Sequence, residues 1–144
     1  MPECETRDGG SYLLLLRLDR AKRVRVGRLG LIAFARGHYV YVGSAVRDLS
    51  ARIAWHRRAD KRPRWHVDYL RRRADACSAL PIPSSRRDEC RLARALAGIL
   101  AAGPRGFGSS DCRCATHLFR SRRNPLRLPS FHAVLRPFRP NGPG

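Results

Sequence analysis

Apolar and polar positions along the chain follow two periods, and the periods sort into elements. Ser11–Leu18 is a Leu-rich run, short enough for a strand and without the polar face of a helix. Asp19-Arg20-Ala21-Lys22 reads as a turn, and Arg23-Val24-Arg25-Val26 alternates strictly, so these two strands are expected to pair as a hairpin. Gly27, Gly30 and Gly37 punctuate an apolar segment around Leu29, Leu31, Ile32 and Phe34. His38–Gly43 is a third strand of aromatic and β-branched residues. Asp48 stands where it can cap a helix running to Arg58, and residues 59–64 form a basic loop. Trp65–Arg73 reads as a second helix and Cys77–Pro83 as a short strand. Arg87–Ala102 carries the clearest helical period, stopped by Gly103-Pro104. Gly106–Asp111 is a glycine and serine loop, and His117–Arg120 one more strand. Residues 124–144 hold half of the ten prolines and read as an ordered arm or a loose tail.

At 144 residues and 43% apolar the chain suits one globular domain, placed at 10–135 between a polar extension (1–9) and a Pro/Gly-rich tail (136–144). Charge changes the picture more. Thirty Lys+Arg against 11 Asp+Glu leave a net +19, a surface whose natural partner is a polyanion. All the basic residues but Lys22 and Lys61 are Arg, whose forked donors suit phosphate and whose plane stacks on bases. Charge alone does not separate nucleic acid from an anionic membrane. No run approaches the ~20 apolar residues that span a bilayer. The start, Met1-Pro2-Glu3-Cys4-Glu5, is acidic and has no secretory pattern. A cytoplasmic protein with no membrane partner is expected, its five cysteines reduced.

Two helices carry candidate chemistry. On 48–58, Leu49 and Ile53 mark the apolar face, with Arg52 about 60° and His56 about 20° from Leu49 at 100° per residue. Both polar groups project toward the covered side, whereas Arg58 points nearly opposite. On 87–102, Glu89 falls in line with Leu92, Ala93, Leu96 and Leu100, while Arg87, Arg91 and Arg94 take the far side. A carboxylate in an apolar stripe needs a cation, either an Arg or a metal ion. Glu89 is also the only glutamate outside the polar N-terminus.

Gly10-Ser11-Tyr12 opens the first strand, and Tyr41-Val42-Gly43-Ser44-Ala45 is followed by Leu49, Arg52 and His56. Taken together these resemble the two motifs and following helix of the GIY-YIG nuclease superfamily. Farther on stand Trp65-His66-Val67-Asp68-Tyr69-Leu70, Glu89-Cys90 and Gly106–Phe119 with Cys112, Cys114 and His117. These resemble a little-characterised subfamily sometimes fused to endonuclease III-type glycosylases. The resemblance implies an α/β fold with a small, mostly antiparallel sheet flanked by helices. It implies a metal-dependent DNA endonuclease, in a repair setting, using one Mg2+ or Mn2+ held by Glu89. Tyr41 would activate the attacking water, Tyr12 would position it, Arg52 would stabilise phosphoryl charge, and His56 would act as base or relay. The segment between the two motifs is longer than in many members, and Ser44 stands where repair nucleases often carry Lys. The alternative is a catalytically inert nucleic-acid-binding module on the same basic face.

Three basic runs flank this site: Arg57-Arg58, Lys61-Arg62-x-Arg64 and Arg71-Arg72-Arg73. They favour a phosphate track, with Arg57, Arg58, Arg64 and His66 as candidate DNA contacts. His66 and Asp68 lie about 160° apart on a helix but share a face on a strand, so no shared role is assigned; as part of the resembling segment they are expected to shape the substrate cleft. Trp65 and Tyr69 read as core. Cys90, Cys112, Cys114 and His117 form a legitimate zinc set, but Cys-x-Cys-x2-His is tighter than usual zinc spacing, so small buried thiols and no structural zinc are expected; a further alternative has Asp111 and His117 line the cleft as hydrogen-bonding groups without metal.

Overall fold

The computed structural model describes residues 8–84 and 88–139. Its centre is β1 (Gly10–Leu18), which reads as a near-continuous apolar run because helices cover both faces of its sheet. It pairs antiparallel with β4 (Gly37–Ala45) on one side and β5 (Ala76–Pro83) on the other. β7 (Leu118–Ser121) and the two-residue β6 (Ala101–Ala102) extend the sheet beyond β4, in the order β5-β1-β4-β7-β6. Among the described residues every pair is antiparallel and four helices surround the sheet, so the chain has the expected α/β fold.

Side chains alternate between two cores. Tyr12, Leu14, Leu16, Tyr39 and Tyr41 face α1 (Leu49–Arg57), α2 (His66–Arg73) and a separate hairpin. Leu13, Leu15, Val40 and Val42 face α3 (Glu89–Ala97) and α4 (Pro129–Leu135). All the β1 and β4 residues named here are buried, as are Val67 and Leu70 of α2 and Leu92, Ala93 and Leu96 of α3.

Several expectations need correction. The alternating segment β2 (Lys22–Arg25) does not pair with β1; it forms its own two-stranded sheet with β3 (Leu31–Phe34). The longer apolar strands β4 and β5 occupy both edges of β1, so the local turn loses to two nine- and eight-residue ladders. Asp48 does not cap α1. It has a left-handed backbone (φ 57°), and its side chain makes no cap bond. Asp8 does the work instead: its carboxylate accepts from the Ser50 N–H (3.1 Å) and hydroxyl (2.8 Å). The third helix stops at Ala97, not Ala102, because Gly98 follows and the chain then bends to pair Ala101–Ala102 with Phe119–Arg120. Leu100 stays buried beyond the helix, which is why the apolar period outlasts it. The proline-rich end contains a helix, since Pro129 sits in the first turn of α4, where its missing N–H costs nothing. Phe131 and Leu135 are buried there. Arg87 lies outside the described residues. No helix among the described residues is long and apolar enough to cross a membrane.

Candidate active-site cleft

The C-terminal end of β4, the first strand's opening residues and α1 bound one cleft of about 930 Å³. Its lining includes Tyr12, Tyr41, Arg52, Arg64, His66 and Glu89. Six of the nine sequence-derived site residues therefore meet at one place. His56 stands directly behind Tyr12. Arg57 and Arg58 lie exposed at the far end of α1, outside this lining.

Register builds the tyrosine pair. Tyr12 stands opposite Gly43 and Leu14 opposite Tyr41, so the two rings share a face with centroids 6.4 Å apart. A Cβ on Gly43 would collide with the Tyr12 hydroxyl, which is the physical need for glycine after Tyr41-Val42. Gly108, at φ +69°, has the same relation to Tyr41: a Cβ there would come within 2.7 Å of its ring.

Behind Tyr12 runs a chain of three groups. The Tyr12 hydroxyl is 2.7 Å from His56 Nε2, and His56 Nδ1 is 3.3 Å from Asp68 Oδ1. The Asp68 carboxylate facing Nδ1 favours the tautomer with its proton there, in which Nε2 accepts from the phenol. Burial keeps His56 below the usual histidine range, against the pull of Asp68 toward charge. Burial alone would raise the Asp68 carboxyl. The His56 imidazole and the Arg64 and Trp65 N–H groups (2.7 and 2.9 Å) outweigh it and hold Asp68 at about 2. Burial pushes both phenols up: Tyr12 against the counter-pull of Arg52, and Tyr41 with added repulsion from Tyr12 and Glu89.

Across the cleft, Glu89 accepts from the Ser44 hydroxyl, and its Oε2 lies 3.3 Å from His117 Nδ1. The carboxylate is about a quarter exposed (24%) and opens to the cleft beside Asp111. One carboxylate on an open cleft fits Mg2+ or Mn2+, ions that keep most of their water and share a site with substrate phosphate. Arg52 donates to the Ser44 carbonyl (3.2 Å) and stacks its guanidinium 4.4 Å from the Trp65 ring centroid. Arg64 stacks 5.0 Å from the same ring. Trp65 thus packs on the core's rim and also aims two guanidinium groups at the cleft. His66 Nδ1 accepts from the Gly108 N–H (2.8 Å), tying the glycine loop to α2.

A model of the family described as domain of unknown function DUF123 matches residues 11–138. The chain belongs to that family. No curated protein and no solved structure matches it.

In this DUF123 domain, parts of the basic runs are engaged inside the fold. Lys61 is nearly buried and donates to the Trp55 and Arg58 carbonyls (2.9 and 2.7 Å), closing the C-terminus of α1. Arg71 donates to the His56 and Arg57 carbonyls, Arg72 to Lys61 and Arg73 to Arg23. Among the described residues, the cations facing the cleft are Arg28, Arg47, Arg52 and Arg64. Sequence reasoning gave Asp68 no catalytic role, only a place among residues that shape the cleft, and missed Arg28 and Arg47 altogether. The helical period gives Asp68 no apolar stripe, since its i+3 and i+4 neighbours are Arg71 and Arg72, unlike the Leu92 and Ala93 that singled out Glu89.

Proposed function

We propose that this DUF123 chain is a GIY-YIG-type endonuclease that hydrolyses DNA phosphodiesters with one divalent ion. The hydrogen bond from Tyr12 to His56, inside an Arg-lined cleft that also holds Glu89, carries this reading. Hydrolysis needs a deprotonated water, cations on the phosphoryl oxygens and a fixed geometry. Glu89 would hold Mg2+ or Mn2+, which supplies Lewis-acid stabilisation of the phosphoryl oxygens when bound.

The remaining roles fall to the chain itself. Tyr12 takes a proton from water while handing its own to His56 Nε2. The imidazolium that forms sits against Asp68, already ionised. Such a relay lets a phenol with a raised pKa act as base at neutral pH, because it never has to exist as free phenolate. The motif resemblance gave the base role to Tyr41; the hydrogen-bond partner favours Tyr12. Tyr41 then serves as a neutral donor that orients water or phosphate. Arg52, braced by Trp65 and the Ser44 carbonyl, meets the non-bridging oxygens.

The test is cleavage of a panel of labelled branched, abasic, mismatched and single-stranded DNAs. Cutting is expected with Mg2+ or Mn2+ and none with EDTA. Tight binding without cutting in either metal would leave the inert binding module.

A further inference from the structure

α3 and the loop 104–117 bring a second set of chemical groups together, outside the proton relay. Cys90, Cys112, Cys114 and His117 each offer one ligand atom, and these atoms all lie within 4.8 Å of one another. His117 Nε2 is 3.9 Å from Cys90 Sγ and 3.5 Å from Cys112 Sγ. Zinc bonds of about 2.3 Å to sulfur and about 2.0 Å to nitrogen, set tetrahedrally, put thiolates about 3.8 Å apart and a thiolate about 3.5 Å from the imidazole nitrogen. The gathering already has that scale.

We propose that Cys90, Cys112, Cys114 and His117 form a closed structural zinc site that locks the loop 104–117 onto α3. The sequence placed Cys90, 22 residues upstream of Cys112, on the Glu89 helix, and the tight Cys-x-Cys-x2-His spacing weighed against zinc because nothing in it shows that the helix and the loop meet. Folding brings it in from the other element, so the loop supplies three ligands and the helix one.

Two further observations fit this assignment. Metal-bound histidines usually pass their second ring proton to a carboxylate, and His117 Nδ1 faces Glu89 Oε2 at 3.3 Å. That leaves Nε2 for the metal. There is also a way in. Cys90 and Cys114 line a second cleft of about 450 Å³ on the far side of the loop. The soft three-sulfur, one-nitrogen set in tetrahedral spacing selects zinc over Mg2+ or Mn2+.

The consequence is positional. His117 also bridges backbones: its carbonyl accepts from Val42 N–H (2.9 Å) and its N–H donates to the Phe107 carbonyl (2.8 Å). A zinc there fixes β4, α3 and the glycine loop to one another, and with them Glu89 and Asp111 on the cleft wall. The ion is read by metal content, so its failure and the failure of the endonuclease reading are separate results.

The experiment takes the untagged full chain, purified without chelator from cells given Zn2+, and measures bound metal by mass spectrometry. About one zinc per chain is expected, and less than a tenth of that in Cys112→Ser/Cys114→Ser. Stripping wild type with a chelator should lower its melting temperature by at least about 5 °C, and Zn2+ alone should restore it. This arm needs no variant to fold. Co2+ in place of zinc should give a thiolate-to-cobalt charge-transfer band. Protein that holds no zinc and takes up none, copper or iron in its place, or a disulfide among these cysteines would each overturn the site.

Discussion

Glu89 answers to Ser44 on one oxygen and His117 on the other, while its carboxylate opens to the cleft. Glu89→Ala should therefore abolish cleavage while leaving DNA binding nearly intact, since it deletes the ion's anchor and none of the arginines. Wild-type cutting by a folded Glu89→Ala protein would remove the metal role. The tyrosines make the sharper comparison. Tyr12→Phe keeps the ring and breaks the relay to His56, so the single-turnover rate should fall by at least about a hundredfold. Tyr41→Phe should cost less, because no proton leaves that phenol. The reverse order would return the base to Tyr41. Cleavage should also fall on the acid side as His56 takes a proton. Because burial depresses its pKa, that limb should lie below the usual 6.5. His56, Arg52 and Glu89 were legible in the sequence because each is a polar group on an apolar helical stripe. Asp68 was not. Its partner sits on another helix, and periodicity within α2 does not say which groups of α1 it will meet.

At the scale of elements, the site depends on how α1 and α2 close on each other. Asp68 serves both. One oxygen accepts the Arg64 and Trp65 N–H groups at the start of α2, and the other faces His56 and Lys61. Asp68→Asn can keep the first job through its carbonyl oxygen but turns an N–H2 toward His56 Nδ1. The favoured tautomer then reverses, Nε2 becomes a donor, and Tyr12 loses its acceptor. Cleavage should drop by at least about a hundredfold with α2 intact by circular dichroism. Stability carries a second signature. The folded carboxyl titrates near 2, below the usual 3.8, so its stabilisation is full above the higher value and lost as pH falls toward the lower. Wild type should lose about 2 kcal/mol over that window that Asp68→Asn does not lose. Parallel acid unfolding of the two proteins would place Asp68 outside the buried chain. The elements themselves were largely readable, and their partners were not. β1 is apolar on both faces, so its sequence does not name a neighbour, and the non-local ladders with β4 and β5 displaced the expected hairpin.

The whole molecule carries +19, but the charge is not one undivided surface. Lys61, Arg71, Arg72 and Arg73 hold carbonyls and tie α1, α2 and the hairpin together. Among the described residues, what remains for a polyanion is the set around the cleft, Arg28, Arg47, Arg52 and Arg64, with exposed arginines such as Arg57 and Arg58 at its margin. Composition could count the cations but not say which were already engaged, since a carbonyl partner leaves no mark in the sequence. Each Arg that neutralises a phosphate releases condensed counterions, so affinity should fall with salt at about 0.9 log units per contact and log unit of salt. About four to eight contacts, the scale of phosphate neutralisation by DNA-binding domains, predict a log–log slope of about −4 to −7. Arg57→Ala/Arg58→Ala should flatten it by at most about two contacts and leave the single-turnover rate at saturating DNA unchanged, because neither residue lines the cleft. Arg52→Ala should lower that rate by at least about a hundredfold while changing the slope by no more than about one contact. Binding that hardly changes between low and physiological salt would mean that something other than these arginines holds the ligand.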